Sequence, residues 1–303
     1  MMKRFKLKNI SGGMLVGLTG FSVILILAII VVMIVVILIG GKDRLTWEFL
    51  TAFPENGMME GGIFPAIYGT ALLVIIMSVA AVPFGTITAI YLSEYASEKS
   101  IIAQSIRFAV RTLATVPSII FGLFGLGFFI KFVGSGIDDF FLGGQLKWAQ
   151  PNILWASLTM ALLTLPVVIV SVEEALRTVP RDLREASLAL GATKWQTIRR
   201  IVIPGSISGI MTGTILAVSR GAGEVAPILF TGAAYYLATL PVSLSDQFMN
   251  LGYHIYIMST QSANVDESLP IQFATTAVLL MLTFTLNMTA VLIRSRIRRK
   301  MVK

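Results

Sequence analysis

Residues 173–204 read Glu-Glu-Ala-Leu-Arg-Thr-Val-Pro-Arg-Asp-Leu-Arg-Glu-Ala-Ser-Leu-Ala-Leu-Gly-Ala-Thr-Lys-Trp-Gln-Thr-Ile-Arg-Arg-Ile-Val-Ile-Pro. This charged island separates two apolar runs, Trp148 to Val172 before it and the stretch from Pro204 after it. Two short helices are written into the island. Pro180 suits a first helical turn, good helix formers follow to Leu190, and Gly191 supplies a stop where the chain can turn left-handed. Thr193 with Gln196 three residues on predicts a capping box that starts the second helix. Trp195, Ile198 and Val202 then fall on one apolar stripe. A basic helix pair of this kind docks into a groove on a partner or rests on anionic lipid.

Outward from the island, charge-free stretches mark membrane spans. About 20 apolar residues cross a bilayer core of roughly 30 Å. Asn9–Gly41, Gly61–Ser93, Thr112–Ile130, Trp148–Val172 and Ser268–Ile293 each suffice, and a further span begins at Pro204, interrupted by Arg220 and Glu224. The fold class expected is therefore all-α integral membrane, with six transmembrane helices. Met-Met-Lys-Arg at the start imitates a secretory signal, but its apolar run is too long and lacks a small-residue cleavage site, so an uncleaved first span is expected. Pro117, followed by Gly122, Gly125 and Gly127, predicts a kink in the third span. Val225–Ser245 contains Pro227, Gly232 and Pro241 and is expected to be a bent, partly buried excursion rather than a seventh span.

Basic residues orient such a bundle, because Lys and Arg stay on the cytoplasmic side. Of the 24 in the chain, all but Lys42, Arg44, Lys131, Lys147 and Arg220 fall in alternate segments: the N-terminal tail, the region from Lys99 to Arg111, the island, and the tail after Ile293. Both termini are thus expected in the cytoplasm. The net charge of +8 follows from this bias and needs no nucleic-acid partner. With 13% charged residues, no cysteine and His254 as the single histidine, disulfides, thiolate metal sites and histidine triads are excluded. His254 reads as an incidental loop residue, and Tyr235 and Tyr236 suit an outer aromatic belt. No phosphate loop of the Gly-x-x-x-x-Gly-Lys-Ser/Thr kind is present, so ATP hydrolysis is not expected of this chain.

Arg220 and Glu224 are spaced one helical turn apart. Counted from Gly205 at about 1.5 Å per residue, Arg220 lies about 22 Å into the bilayer, where each such group costs about 2.5 to 3.5 kcal/mol to insert. A structural ion pair would justify them, and so would an anionic substrate. An Arg fork matches phosphate oxygens bidentately, and a glutamate accepts hydrogen bonds from the protonated oxygens that phosphate keeps at neutral pH and sulfate lacks.

The island also carries a family pattern. Glu185-Ala186-Ser187, three residues, Gly191, nine residues, then Ile201 and Pro204 resembles the Glu-Ala-Ala, Gly, Ile-x-x-Pro coupling loop of ABC-importer permeases, with Ser187 where Ala is usual. Ala-Ile-Tyr-Gly-Thr (66–70), Val-Pro-Phe-Gly (82–85), Ala-Ile-Tyr-Leu-Ser-Glu-Tyr (89–95), Val-Pro-Ser-Ile-Ile-Phe-Gly-Leu-Phe-Gly (116–125), Arg-Glu-Ala-Ser-Leu-Ala-Leu-Gly-Ala-Thr-Lys-Trp (184–195) and Arg-Gly-Ala-Gly-Glu-Val-Ala-Pro (220–227) resemble the PstA family, permease subunits of bacterial phosphate ABC importers.

The resemblance implies a type I importer permease core over 61–303, containing the coupling loop 173–204, with an extra helix and first outer loop over 1–60. It implies a heterodimer with a similar PstC-like permease in membrane lipid. A PstB-like ATPase pair would bind ATP and Mg, leaving no cofactor in this chain, and a PstS-like phosphate-binding protein would dock outside. Arg184, Glu185, Ala186, Ser187, Gly191, Trp195, Ile201 and Pro204 would face or position the ATPase, and Arg220 and Glu224 would line the substrate path. The family often has an arginine shortly before the paired glutamates; Val170 and Ser171 stand there instead, so a second cation must come from the partner subunit or from Arg111. Rival functions are a permease for sulfate, molybdate or phosphonate, an ion-coupled secondary carrier, which should show internal inverted repeats, and a membrane enzyme.

Overall fold

The computed structural model describes residues 2–97, 99–262 and 264–301, with side chains from residue 14 onward except at 298, 300 and 301. The basic side chains at 3, 4, 6 and 8 lie outside that description. Among the described residues six helices are long and apolar enough to cross a membrane: Met14–Gly41, Phe64–Tyr95, Ser118–Phe141, Ile153–Arg177, Lys194–Gly223 and Val265–Ile297.

Helix α1 (Met2–Gly41) is almost fully exposed from Met14 on and meets the rest of the bundle at its end, where Gly40 and Gly41 let it press against Phe273 and Ala274. A short helix α2 (Trp47–Thr51) follows, capped by the Thr46 hydroxyl, which accepts from the Phe49 N–H at 3.1 Å. A small hairpin pairs β1 (Pro54–Glu55) with β2 (Glu60–Gly61). Phe49 and Met58 of this segment are buried with Ile63, Ala66, Met249 and Ile271.

Helix α3 (Phe64–Ile90) continues through a π-helical turn, Tyr91–Tyr95. Helix α4 (Ile101–Leu113) is a separate amphipathic piece. The kink expected at Pro117 is a complete break: α4 stops at Leu113, and α5 (Ser118–Phe124) starts with Pro117 as its extended N-cap at ψ 138°. A proline drives the preceding residue out of the helical region, so the third span begins at Ser118 rather than Thr112. It runs on through a π-helical stretch, Gly125–Gly134, into α6 (Ser135–Phe141).

Helix α7 (Ile153–Arg177) is the centre of the molecule and its most buried span. It packs against both α3 and α10 (Ile203–Gly223), which also touch each other. Gly209 and Gly213 of α10 lie against Ala175 and Ser171 with no room for a Cβ, the close helix approach that small residues permit. Between α7 and α10 stand α8 (Arg181–Ala189) and α9 (Lys194–Thr197).

The second helix of the island is not free-standing. It runs from α9 through a π-helical turn, Ile198–Val202, straight into α10, so the fifth span begins at Lys194 rather than Pro204. Pro204 explains the turn. Proline has no N–H to donate and its ring crowds the preceding turn; the Ile203 N–H reaches back five residues to the Ile198 carbonyl.

Residues 224–250 form the expected excursion, without helix, and Ile228, Phe248 and Met249 are buried in it. It satisfies the orphan amides at the start of α7: the N–H groups of Asn152, Ile153 and Leu154 donate to the carbonyls of Thr231, Asp246 and Leu244 at 2.9, 2.8 and 3.2 Å. Helix α11 (Leu251–Thr260) and the long α12 (Val265–Met301) complete the chain. His254 is on α11 and buried, not in a loop. Burial holds its imidazole down at about 4, below the ordinary 6.5.

Candidate functional site: the α8–α9 hairpin and the end of α10

The hairpin is built by local signals. Pro180 is the N-cap of α8, and Gly191 takes φ +85°, the left-handed conformation its position predicts. Thr193 and Gln196 form the capping box in both directions, at 3.2 Å and 2.8 Å. Of the expected stripe, Ile198 and Val202 are buried in the bundle, whereas Trp195 remains 54% exposed. Leu183, Leu188 and Leu190 are exposed beside it, and α8 buries no residue. An apolar surface of this size on a short hairpin suits a groove.

The named island residues separate into two groups. Glu185, Ala186, Gly191 and Trp195 face outward. Ser187 binds the opposite arm through Thr197, and Ile201 and Pro204 are half-buried at the root of α10. Arg184 is turned inward. Its Nη2 donates to Glu94 Oε1 at 2.9 Å and to the Leu176 carbonyl at 2.8 Å, and its Nη1 donates to the Val179 carbonyl.

A second ion cluster lies alongside. Glu173 Oε1 accepts from Arg107 at 3.2 Å and from Arg177 at 2.8 Å, and Arg107 also donates to the Leu92 carbonyl at 2.8 Å. A cavity of about 170 Å³ is lined by Arg107, Arg111, Val170, Glu173 and Arg177. A larger one of about 490 Å³, lined by Glu94, Arg107, Arg177, Arg181, Arg184 and Glu185, shares its Arg107 and Arg177 wall. Arg111, itself exposed, and Val170 line the same cavity. Glu94, Arg107 and Glu173 are residues that spacing alone does not single out.

At the far end of α10, Arg220 Nε stands 3.6 Å from Glu224 Oε1, with side chains 40% and 25% exposed. This is an ion pair without a hydrogen bond. Glu224 has left the helix, which ends at Gly223, and sits in extended geometry at φ −84°, ψ 133°. The pair is also nearer the end of the span than the count from Gly205 implies. Thirty residues from Lys194 to Gly223 make about 45 Å of helix, and Arg220 stands in its last turn, with only Gly221, Ala222 and Gly223 after it. Elsewhere α10 is braced on α12, where Ser219 donates to Asn287 Oδ1 at 2.8 Å and Arg294 to Ser208 Oγ at 3.0 Å.

Comparison with known proteins agrees with this architecture. Residues 81–303 match the family described as binding-protein-dependent transport system inner membrane component. The chain is 28% identical to the probable ABC transporter permease protein YqgI of Bacillus subtilis, over 97% of this chain and 98% of that one. It is 32% identical to the phosphate transport system permease protein PstA of Haemophilus influenzae, over 84% and 83%, and 39% identical to PstA of Mycobacterium leprae, over 62% and 56%. The fold is similar to that of a chain of the bacterial alginate ABC transporter crystallised with its alginate-bound periplasmic protein, at TM-score 0.63 and 15% identity, covering 96% and 95%. An inward-facing MetNI methionine ABC transporter chain is similar at TM-score 0.51 and 17% identity, covering 78% and 94%. The chain belongs to the family of binding-protein-dependent transport system inner membrane components, the type I ABC-importer permeases, and within it to the PstA group.

Proposed function

We propose that this protein is the permease subunit that passes inorganic phosphate across the bacterial cytoplasmic membrane in an ATP-driven importer. The observation that carries the reading is the likeness to PstA of Haemophilus influenzae along most of both chains. The family resemblance implies the partners: a second, similar permease, an ATPase pair that would hold ATP and Mg, and a phosphate-binding protein outside. The permease core spans 61–303, and the appended helix with the first outer loop spans 1–60. No step of catalysis is assigned to this chain.

The hairpin end faces the cytoplasm in this reading, with both termini, because the basic residues cluster there. The exposed Glu185, Gly191 and Trp195 face the ATPase. At the opposite end of α10, Arg220 offers phosphate a planar fork of donors. Glu224, 3.6 Å away, accepts from a protonated phosphate oxygen that sulfate does not carry. The pair's partial exposure and the lack of a hydrogen bond leave both side chains free to exchange partners. The test is radiolabelled phosphate uptake by the reconstituted four-component complex, with unlabelled phosphate, arsenate, sulfate and molybdate as competitors. ATP-dependent uptake displaced by phosphate and arsenate only is expected; displacement by sulfate at equal concentration would overturn the substrate.

A further inference from the structure

We propose that Arg184 and Glu94 form a clasp that transmits movement of the α8–α9 hairpin to the second span, α3, a role that rests on the reading of the hairpin as the ATPase dock. Covalently the hairpin is attached to α7 and α10 alone. A push on it reaches those two spans directly, and reaches α3 only through contacts across the fold. Arg184 makes that contact from one arm. A single guanidinium joins three elements: α8, which carries it; the carbonyls of Leu176 and Val179 at the end of α7; and Glu94 in the π-helical turn that finishes α3. The carboxylate is 9% exposed and the arginine 18%, so water competes poorly for either.

The other arm makes its own contact with the same turn. Lys194, at the start of α9, holds its ammonium 5.1 Å from the ring centroid of Tyr95, within cation–π range. Two neighbouring residues of α3 are thus gripped by the two arms of the hairpin. Because α8 buries no side chain, apolar packing does not seat it, and the Arg184 tie together with the Ser187–Thr197 hydroxyl contact holds it in place. The turn they grip is π-helical, a geometry frequent where helices change shape at functional sites. Glu94 and Arg184 act here as positioning residues, through the elements they join.

A tie that only stabilises and a tie that transmits differ in one measurable ratio, phosphate carried per ATP hydrolysed. In proteoliposomes holding the full complex with its binding protein, Glu94→Gln should assemble with its partners and hydrolyse ATP, yet import at least tenfold less phosphate per ATP. Tyr95→Leu, which removes the second grip, should lower the ratio by a smaller factor. The chain has no cysteine, so Glu94→Cys with Arg184→Cys can be bridged by a short thiol cross-linker, and bridging should restore part of the ratio without changing assembly. An unchanged ratio in assembled Glu94→Gln complex would overturn the proposal, as would failure of both Glu94→Gln and Tyr95→Leu to assemble, which would make the contacts a structural tie. Absence of ATP-driven phosphate uptake by the unmodified complex would instead strike the proposed function itself.

Discussion

Ser187 Oγ and Thr197 Oγ1 lie 2.9 Å apart, one on each arm of the hairpin. Thr197 is buried and Ser187 half-buried, so the serine that stands where the family pattern has alanine closes a hydroxyl bridge across the Gly191 turn. Removing one partner strands a shielded hydroxyl, whereas removing both is nearly neutral. Thr197→Val alone should cost about 1 kcal/mol, and Thr197→Val with Ser187→Ala clearly less than the sum of the two single changes. Amide hydrogen exchange over residues 186–198 reads both values.

Gly191 has a sharper expectation. At φ +85° a residue with a Cβ is strained by about 1 to 3 kcal/mol, and proline, fixed near −65°, cannot occupy the position. Gly191→Pro should leave the membrane spans folded and abolish uptake. Glu185→Lys, on the exposed face, should do the same by reversing a charge at the dock. Normal uptake by both variants at normal expression would mean that the loop rests on lipid.

Arg220 and Glu224 stand 3.6 Å apart without a hydrogen bond, so deleting one member strands a more loosely held charge than in a buried, hydrogen-bonded pair, where the cost is about 3 to 5 kcal/mol. Single changes are therefore interpretable. Arg220→Met should assemble and carry no phosphate, Arg220→Lys should keep weak transport for want of the guanidinium fork, and Arg220→Met with Glu224→Leu should fail like the first. Wild-type uptake by the assembled double variant would exclude the pair as a phosphate site.

His254 makes stability depend on pH in a defined window. Its imidazole sits at about 4 in the folded chain, against 6.5 ordinarily, because burial disfavours the cation. Above 6.5 it is neutral in both states. Between 6.5 and 4 the unfolded chain binds a proton that the folded chain does not, so folding loses up to about 1.4 kcal/mol per pH unit. Its Nδ1 lies 3.4 Å from Thr275 Oγ1, so the ring sits in the contact between α11 and α12. Melting curves of wild type and His254→Gln in detergent between pH 7.5 and 5 should diverge as pH falls, the wild type losing more.

Orientation is open to direct labelling, since the chain has no cysteine. A cysteine at Ser262 should react with an impermeant thiol reagent from outside intact cells, and one at Thr178 only after permeabilisation. The reverse pattern would invert the topology.

Much of this was legible in the sequence because it depends on near neighbours. An uninterrupted apolar run defines a span by length alone, a threonine three residues before a glutamine caps a helix, and a glycine after a run of helix formers turns left-handed. The end of α10 belongs to the same class: Gly221, Gly223 and Pro227 together stop a helix, which leaves Glu224 off it.

By itself, then, the sequence determined six membrane-crossing helices, a two-armed charged hairpin between the fourth and fifth, and the turn that divides its arms. Only the tertiary structure decided which way the hairpin's charges point. Arg184 finds Glu94 across 90 residues of chain and Arg107 finds Glu173 across 66; no local spacing encodes such pairs, since the partners are brought together by the packing of α3, α4 and α7. Likewise the fusion of α9 with α10 depended on whether the helix could absorb Pro204. A π-helical turn against a buried Ile198 and Val202 made that possible, and burial is a property of the folded bundle, not of the segment.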